Sequence, residues 1–133
     1  MIKFLIFSLL FLASPVYAQI HALDGKTVLL GKEEIRLTGY DTPVDDDASC
    51  ELAIVLSHDA RQFLQTLLDD PSKRKDFRRE ERKEKGRILA RLFINGRDVA
   101  DIMIEKELAI AFDCPDGRCP QRMNWCEELD GSE

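Results

Sequence analysis

Arg36, Asp41 and Thr42 are the residues whose types and spacing can do chemistry. They fall in one short stretch, Glu34-Glu-Ile-Arg-Leu-Thr-Gly-Tyr-Asp-Thr-Pro-Val44. A guanidinium offers a planar fork to phosphate oxygens, and an aspartate followed by a threonine offers the oxygen donors that a hard divalent cation takes. The segment therefore reads as a phosphate-and-metal corner. An Arg36–Asp41 surface pair at a strand end is the competing structural reading, and it is the commoner use of such residues.

The corner has to be held by a strand and a turn. Ile35 and Leu37 alternate with Arg36 and Thr38, the period of a half-buried strand, and Gly39 with Asp41-Thr-Pro43 ends the run. Upstream, Gln19 to Leu23 alternates weakly, Asp24-Gly25 is a hairpin signal before the apolar run Thr27 to Leu30, and Gly31 to Glu34 is a second turn. Three short strands in a meander thus lead into the corner. Asp45-Asp-Asp-Ala-Ser49 follows as an acidic, irregular loop.

From Glu51 the period changes. Leu56, Ala60, Phe63, Leu64 and Leu67 recur at helical spacing until Asp69-Asp-Pro71, and this apolar stripe needs the sheet to cover it. His58 lies off the stripe and reads as solvated or capping, and His21, on the first strand, is equally uninformative. Lys73 to Lys85 is charged enough for a solvated helix with paired Glu and Arg, and the sequence leaves its structure open. Arg87 to Ile94 is rich in strand formers and closes on Asn95-Gly96, so it reads as a core strand. Asp98 can cap a helix that buries Val99, Ile102 and Met103 and ends near Glu107. Leu108 to Phe112 returns along the body, and Trp125 is a packing residue beside Cys126. No repeat or linker divides the chain, which reads as one domain.

The start of the 133-residue chain has a different character. Met-Ile-Lys is followed by the apolar stretch Phe4 to Ala13 and by small residues in a Val16-x-Ala18 cleavage pattern, which predicts a secretory signal peptide over residues 1–18. The mature product, residues 19–133, is then exported to the periplasm or secreted, with no membrane span. All four cysteines, Cys50, Cys114, Cys119 and Cys126, lie in it. An even count in an exported chain predicts two disulfides, with three connectivities possible. The favoured one staples Cys114 to Cys119 around Pro-Asp-Gly-Arg and ties Cys50 to Cys126; a zinc site is the disfavoured rival. The formal net charge of −6 opposes nucleic-acid binding overall, but basic residues dominate from Lys73 to Arg91.

Taken together, Asp24-Gly-Lys-Thr27, Ile35 to Pro43, Gly86-Arg-Ile-Leu-Ala90, Asn95-Gly-Arg-Asp-Val99 and Leu108-Ala109 resemble the thermonuclease (staphylococcal-nuclease-like) family in order and spacing. The tail ending in Trp-Cys, with an earlier Cys before the first helix, is similar to its exported proteobacterial branch. The resemblance implies an α+β fold that is mainly β, a five-stranded OB-fold Greek-key barrel with two to three helices, and a monomer that acts on DNA or RNA. It also implies roles. Arg36 and Arg87 would hold the phosphodiester as catalytic arginines, and Asp41 with the backbone carbonyl of Thr42 would bind Ca2+.

Two positions depart from the family pattern. Lys26 stands where a second calcium-binding aspartate belongs, and Val44 stands at the place of the general base. Asp45 and Asp46 are candidate substitute ligands. A missing base typically costs a factor of about 10² to 10⁴, and losing the metal removes several more kcal/mol of transition-state stabilisation. Weak or lost hydrolysis is therefore expected, with a non-catalytic module binding nucleic acid or a protein partner as the alternative. In that alternative Lys26 takes the place of the metal and pairs with Asp41.

Overall fold

The computed structural model describes residues 19–44 and 49–130. It is an α+β arrangement of a mixed sheet and three α-helices. The meander expected from the turn signals is present: β1 (Ile20–Ala22) pairs antiparallel with β2 (Thr27–Leu30), and β2 with β3 (Glu33–Leu37). At Gly39 the chain turns away into β4 (Gly39–Asp41), with φ at +98°, a backbone conformation natural to glycine. A Cβ there would lie 2.9 Å from Arg91 Nη1 and 3.1 Å from the Ala100 Cβ. The turn that delivers Asp41 thus needs glycine for both backbone and space.

α1 spans Glu51–Asp69, as its apolar spacing predicted, and buries Ala53, Ala60, Leu64, Leu67 and Leu68. It packs on β1, where Gln65 fastens the edge by accepting from the Ala22 amide at 2.7 Å and donating to the Ile20 carbonyl at 3.1 Å. The charged segment left open by the sequence is a strand, β5 (Lys75–Glu84), paired antiparallel with β6 (Arg87–Ile94) across the Lys85-Gly86 turn. A shift of register between Arg79 and Lys83 changes which residues turn inward, from Lys75 and Phe77 to Glu80 and Arg82. β6 runs parallel to β3, placing Arg36 opposite Leu89. After the Asn95-Gly96 turn come β7 (Arg97–Asp98), α2 (Val99–Glu105), β8 (Ile110–Phe112) and α3 (Trp125–Asp130). Asp98 caps α2 as expected, accepting from the Ala100 amide at 2.9 Å.

The core lies between α1, α2 and the sheet, and includes Val28, Ile35, Leu64, Leu92, Val99 and Met103. The expected five-stranded barrel does not close among the described residues. The main sheet runs β1-β2-β3-β6-β5, with β7 on β6, and β4 leaves it to pair with β8. β1 and β5 remain separate edges among the described residues. β1 is three residues long, and the end of α1 with the Asp70-Pro71 turn borders an open groove of about 780 Å3 beside it. Both disulfides take the favoured connectivity, Cys50–Cys126 and Cys114–Cys119. No helix among the described residues is long and apolar enough to cross a membrane. The expected signal peptide, residues 1–18, lies outside the described residues.

Candidate functional site

The loop that carries Lys26 is shaped by its own sequence. Asp24 Oδ1 accepts from the Lys26 amide at 2.8 Å, a local turn that aspartate favours. The Lys26 carbonyl in turn accepts from the Leu37 amide at 2.7 Å, and the Tyr40 hydroxyl donates to the Gly25 carbonyl at 2.7 Å. Gly25 sits so close to α1 and the Asp41-Thr42 turn that a Cβ would lie 2.7 Å from the Ala60 Cβ and 2.8 Å from Thr42 Cγ2. Loop, helix and turn are therefore one packed unit, and Lys26 is presented to Asp41 from a rigid base.

Lys26 Nζ donates to Asp41 Oδ1, with both side chains buried at 8% and 2% exposure. A second cation arrives from the far end of the chain: Arg122 Nε donates to Asp41 Oδ2 and its Nη2 to Oδ1, each at 3.2 Å. Burial works to raise the Asp41 carboxyl, but the hydrogen bond and charge of Lys26, with those of Arg122 behind them, hold it below its ordinary value. Lys26 is lowered in turn, because loss of water outweighs the attraction of Asp41.

Arg36 stands half-buried near this pair, with its Nε buried and without a hydrogen-bond partner. Burial first, and the neighbouring Arg87 second, lower its affinity for a proton, while Asp24 and Glu84 oppose them. A guanidinium stays charged through such a shift. Arg87 is close enough to Arg36 to repel it but faces Glu34, at 3.8 Å, and does not line the cavity that Arg36 enters.

That cavity has a volume of about 450 Å3, in the range of small-ligand pockets. Its floor is Lys26, Arg36 and Asp41. Glu80 and Arg82 enter from β5, Arg91 from β6, and Leu37, Leu89 and Phe112 give it apolar walls. The Thr38 hydroxyl donates to Glu80 at 2.8 Å, and Arg82 pairs with the same carboxylate at 3.1 Å. Arg91 bridges Asp98 and Asp113, each at 2.7 Å. The segment from Asp113 to Arg122, stapled by Cys114–Cys119, forms the remaining wall.

The sequence-derived site is thus brought together only in part. Lys26, Arg36 and Asp41 converge. Thr42 is fully buried, with its hydroxyl committed to the Leu108 carbonyl at 2.8 Å. Val44 is half-buried and offers no proton acceptor. Asp45 and Asp46 lie outside the described residues. The donor set does not suit Ca2+: a cation that takes six to eight oxygens would meet an ammonium and a guanidinium already on both Asp41 oxygens. Among the described residues, no three Asp, Glu, His or Cys groups gather in a way that holds a metal.

Sequence reasoning missed Arg122 and Glu80, and placed Arg82 only in the basic stripe and not in the cavity. Arg122 carries one signal, its place between Cys119 and Cys126, since cysteines that staple a tail also position what lies between them. The other two depend on the register shift in β5, for which the sequence holds no mark. No family model and no curated protein sequence matches the chain.

Proposed function

We propose that this chain is an exported, thermonuclease-like binding module that holds the phosphate groups of nucleic acid without a metal and without efficient hydrolysis. The observation that carries the reading is the pairing of Lys26 with Asp41: a protein cation stands on the carboxylate where a calcium-dependent enzyme needs a vacant oxygen. Arg36 supports the binding half, because a half-buried guanidinium with an unpartnered Nε favours an anionic oxygen as its missing acceptor. The hydrolytic half lacks support, since Val44 cannot activate water. The strand order and the parallel β3–β6 pairing support a relation to the OB-type barrel, whose members can be partly open.

The test is fluorescence anisotropy with a labelled single-stranded DNA oligonucleotide and the mature chain. Binding is expected to weaken steeply with salt, to be indifferent to calcium or a chelator, and to fall about tenfold or more in Arg36→Ala, as one charge-assisted contact is worth about 1.5–3 kcal/mol. Calcium-stimulated cleavage, or no binding at low salt, would sink the reading.

A further inference from the structure

One carboxylate of the cavity is held with acceptor capacity to spare. The register shift in β5 turns Glu80 inward, where it lines the cavity together with Arg36 and keeps its side chain 31% exposed. Two donors fix it, and each takes a different oxygen. The Thr38 hydroxyl donates to Oε1 at 2.8 Å, and Arg82 Nε pairs with Oε2 at 3.1 Å. A carboxylate oxygen accepts two hydrogen bonds, so each of these keeps a place for a further donor. Glu80 is thus a positioned pair of acceptors at the cavity surface.

A phosphate on Arg36 gives that carboxylate no partner, because it repels an anion. What it suits is a neutral group that carries N–H donors. The space around it suits a flat ring: Leu37, Leu89 and Phe112 form apolar walls, and about 450 Å3 is the scale of one small ligand. A nucleobase meets both conditions, and the bases differ in what they offer a carboxylate. Guanine has two donors side by side, N1–H and the N2 amino group, which match the two oxygens of one carboxylate. Adenine and cytosine offer one amino group beside a ring acceptor, and thymine offers one N–H between two carbonyl oxygens.

We propose that Glu80, held by Thr38 and Arg82, is the base-reading residue of this pocket and selects guanine, accepting from its N1–H and N2 amino groups while Arg36 takes a phosphate of the strand. The inference rests on the phosphate-binding reading above and adds to it a sequence preference. It also gives the register shift in β5 a use, since without that shift Glu80 would not turn inward.

The experiment measures, by fluorescence anisotropy, the affinity of an all-thymine DNA oligonucleotide and of the same strand carrying a single guanine, for the mature chain, Arg36→Ala and Glu80→Gln. Circular dichroism would verify that each folds. The guanine strand is expected to bind the parent about tenfold more tightly than the all-thymine strand, within the range of one bidentate base contact. Glu80→Gln puts an amide donor against the donors of guanine, so the two strands should bind it equally, with no weakening of the all-thymine one. Competition by nucleoside monophosphates tests the same contact from the ligand side, with no variant required. Guanosine monophosphate should compete about tenfold better than adenosine monophosphate, and inosine monophosphate, which lacks only the N2 amino group, should fall between them.

Equal affinity of the parent for the two strands, alongside lost binding in Arg36→Ala, would overturn the guanine preference and leave the phosphate site intact. A guanine preference that survives in Glu80→Gln, or inosine monophosphate competing as well as guanosine monophosphate, would overturn the role of the carboxylate. Absence of binding to either strand by the unmodified chain would overturn the pocket reading and this inference together.

Discussion

Two regions of this molecule are rich in charge, and they use it in opposite ways. On the β5–β6 hairpin the basic stripe from Lys73 to Arg91 is largely met by neighbouring carboxylates at the surface. Arg79 forms a two-pronged pair with Glu33 at 3.2 and 2.6 Å, Arg78 pairs with Asp76 at 3.5 Å and stacks on Phe93 at 3.8 Å, and Arg87 faces Glu34. In the cavity, Lys26 and Arg122 meet on one buried carboxylate, that of Asp41. Ion pairs of the first kind contribute little because solvent screens them, whereas loss of a partner in the second exposes an uncompensated buried charge. Density of charge along the chain is thus a poor guide to where charge acts. The stripe's exposed strand also has a plainer use, since lysine and arginine on a free sheet edge discourage pairing with other chains.

The contrast is sharpest at Lys26. Lys26→Met keeps the apolar stem, removes the ammonium and leaves Asp41 with Arg122 alone. It is expected to cost about 3 kcal/mol in urea unfolding, the lower end for breaking a buried pair because one cation remains. An unchanged midpoint would place the pair with the surface contacts.

Acid gives a smaller and more specific effect. In the folded chain Asp41 is held below its ordinary value of 3.8, so the unfolded chain takes up its proton first as pH falls. The stability this group supplies is complete above 3.8 and is lost between that value and the lower folded one. Lys26→Met lessens the depression, so the loss of stability below 3.8 should be shallower than in the parent. Carbon-13 titration of the Asp41 carboxyl would follow the same change directly, and identical titration in parent and variant would break the argument.

The smallest effect is expected on the hairpin. Arg79 and Glu33 are exposed, so Arg79→Ala should leave the unfolding midpoint unmoved within error despite a well-formed pair. A shift comparable with that of Lys26→Met would erase the distinction between the two regions.

Much of the frame was legible in the residues. The meander rests on Asp24-Gly25 and Gly31-Lys32, α1 on its apolar spacing, β6 on its strand formers and Asn95-Gly96, and α2 on Asp98, because each signal acts within a few residues of the feature it makes. The ion pair of Lys26 with Asp41 was expected only through the family resemblance, in the reading where lysine takes the place of the metal, and the structure forms it. β5 was not. A run such as Lys75 to Glu84 suits a solvated helix or an edge strand equally, and pairing with β6 decides between them.

The sequence by itself determined most of the local elements, favoured the two cysteine staples, and set Lys26 and Val44 around the Asp41 corner. Only the tertiary structure decided that the sheet stays open between β1 and β5, that the bulge in β5 sends Glu80 and Arg82 into the cavity, and that Arg122 reaches Asp41 across 81 residues of chain. The physical reason is range. Turn, helix and strand signals are written in neighbouring side chains and read locally, whereas a cavity wall is set by strand register and by where a stapled tail comes to rest against distant segments, and no nearby residue announces either.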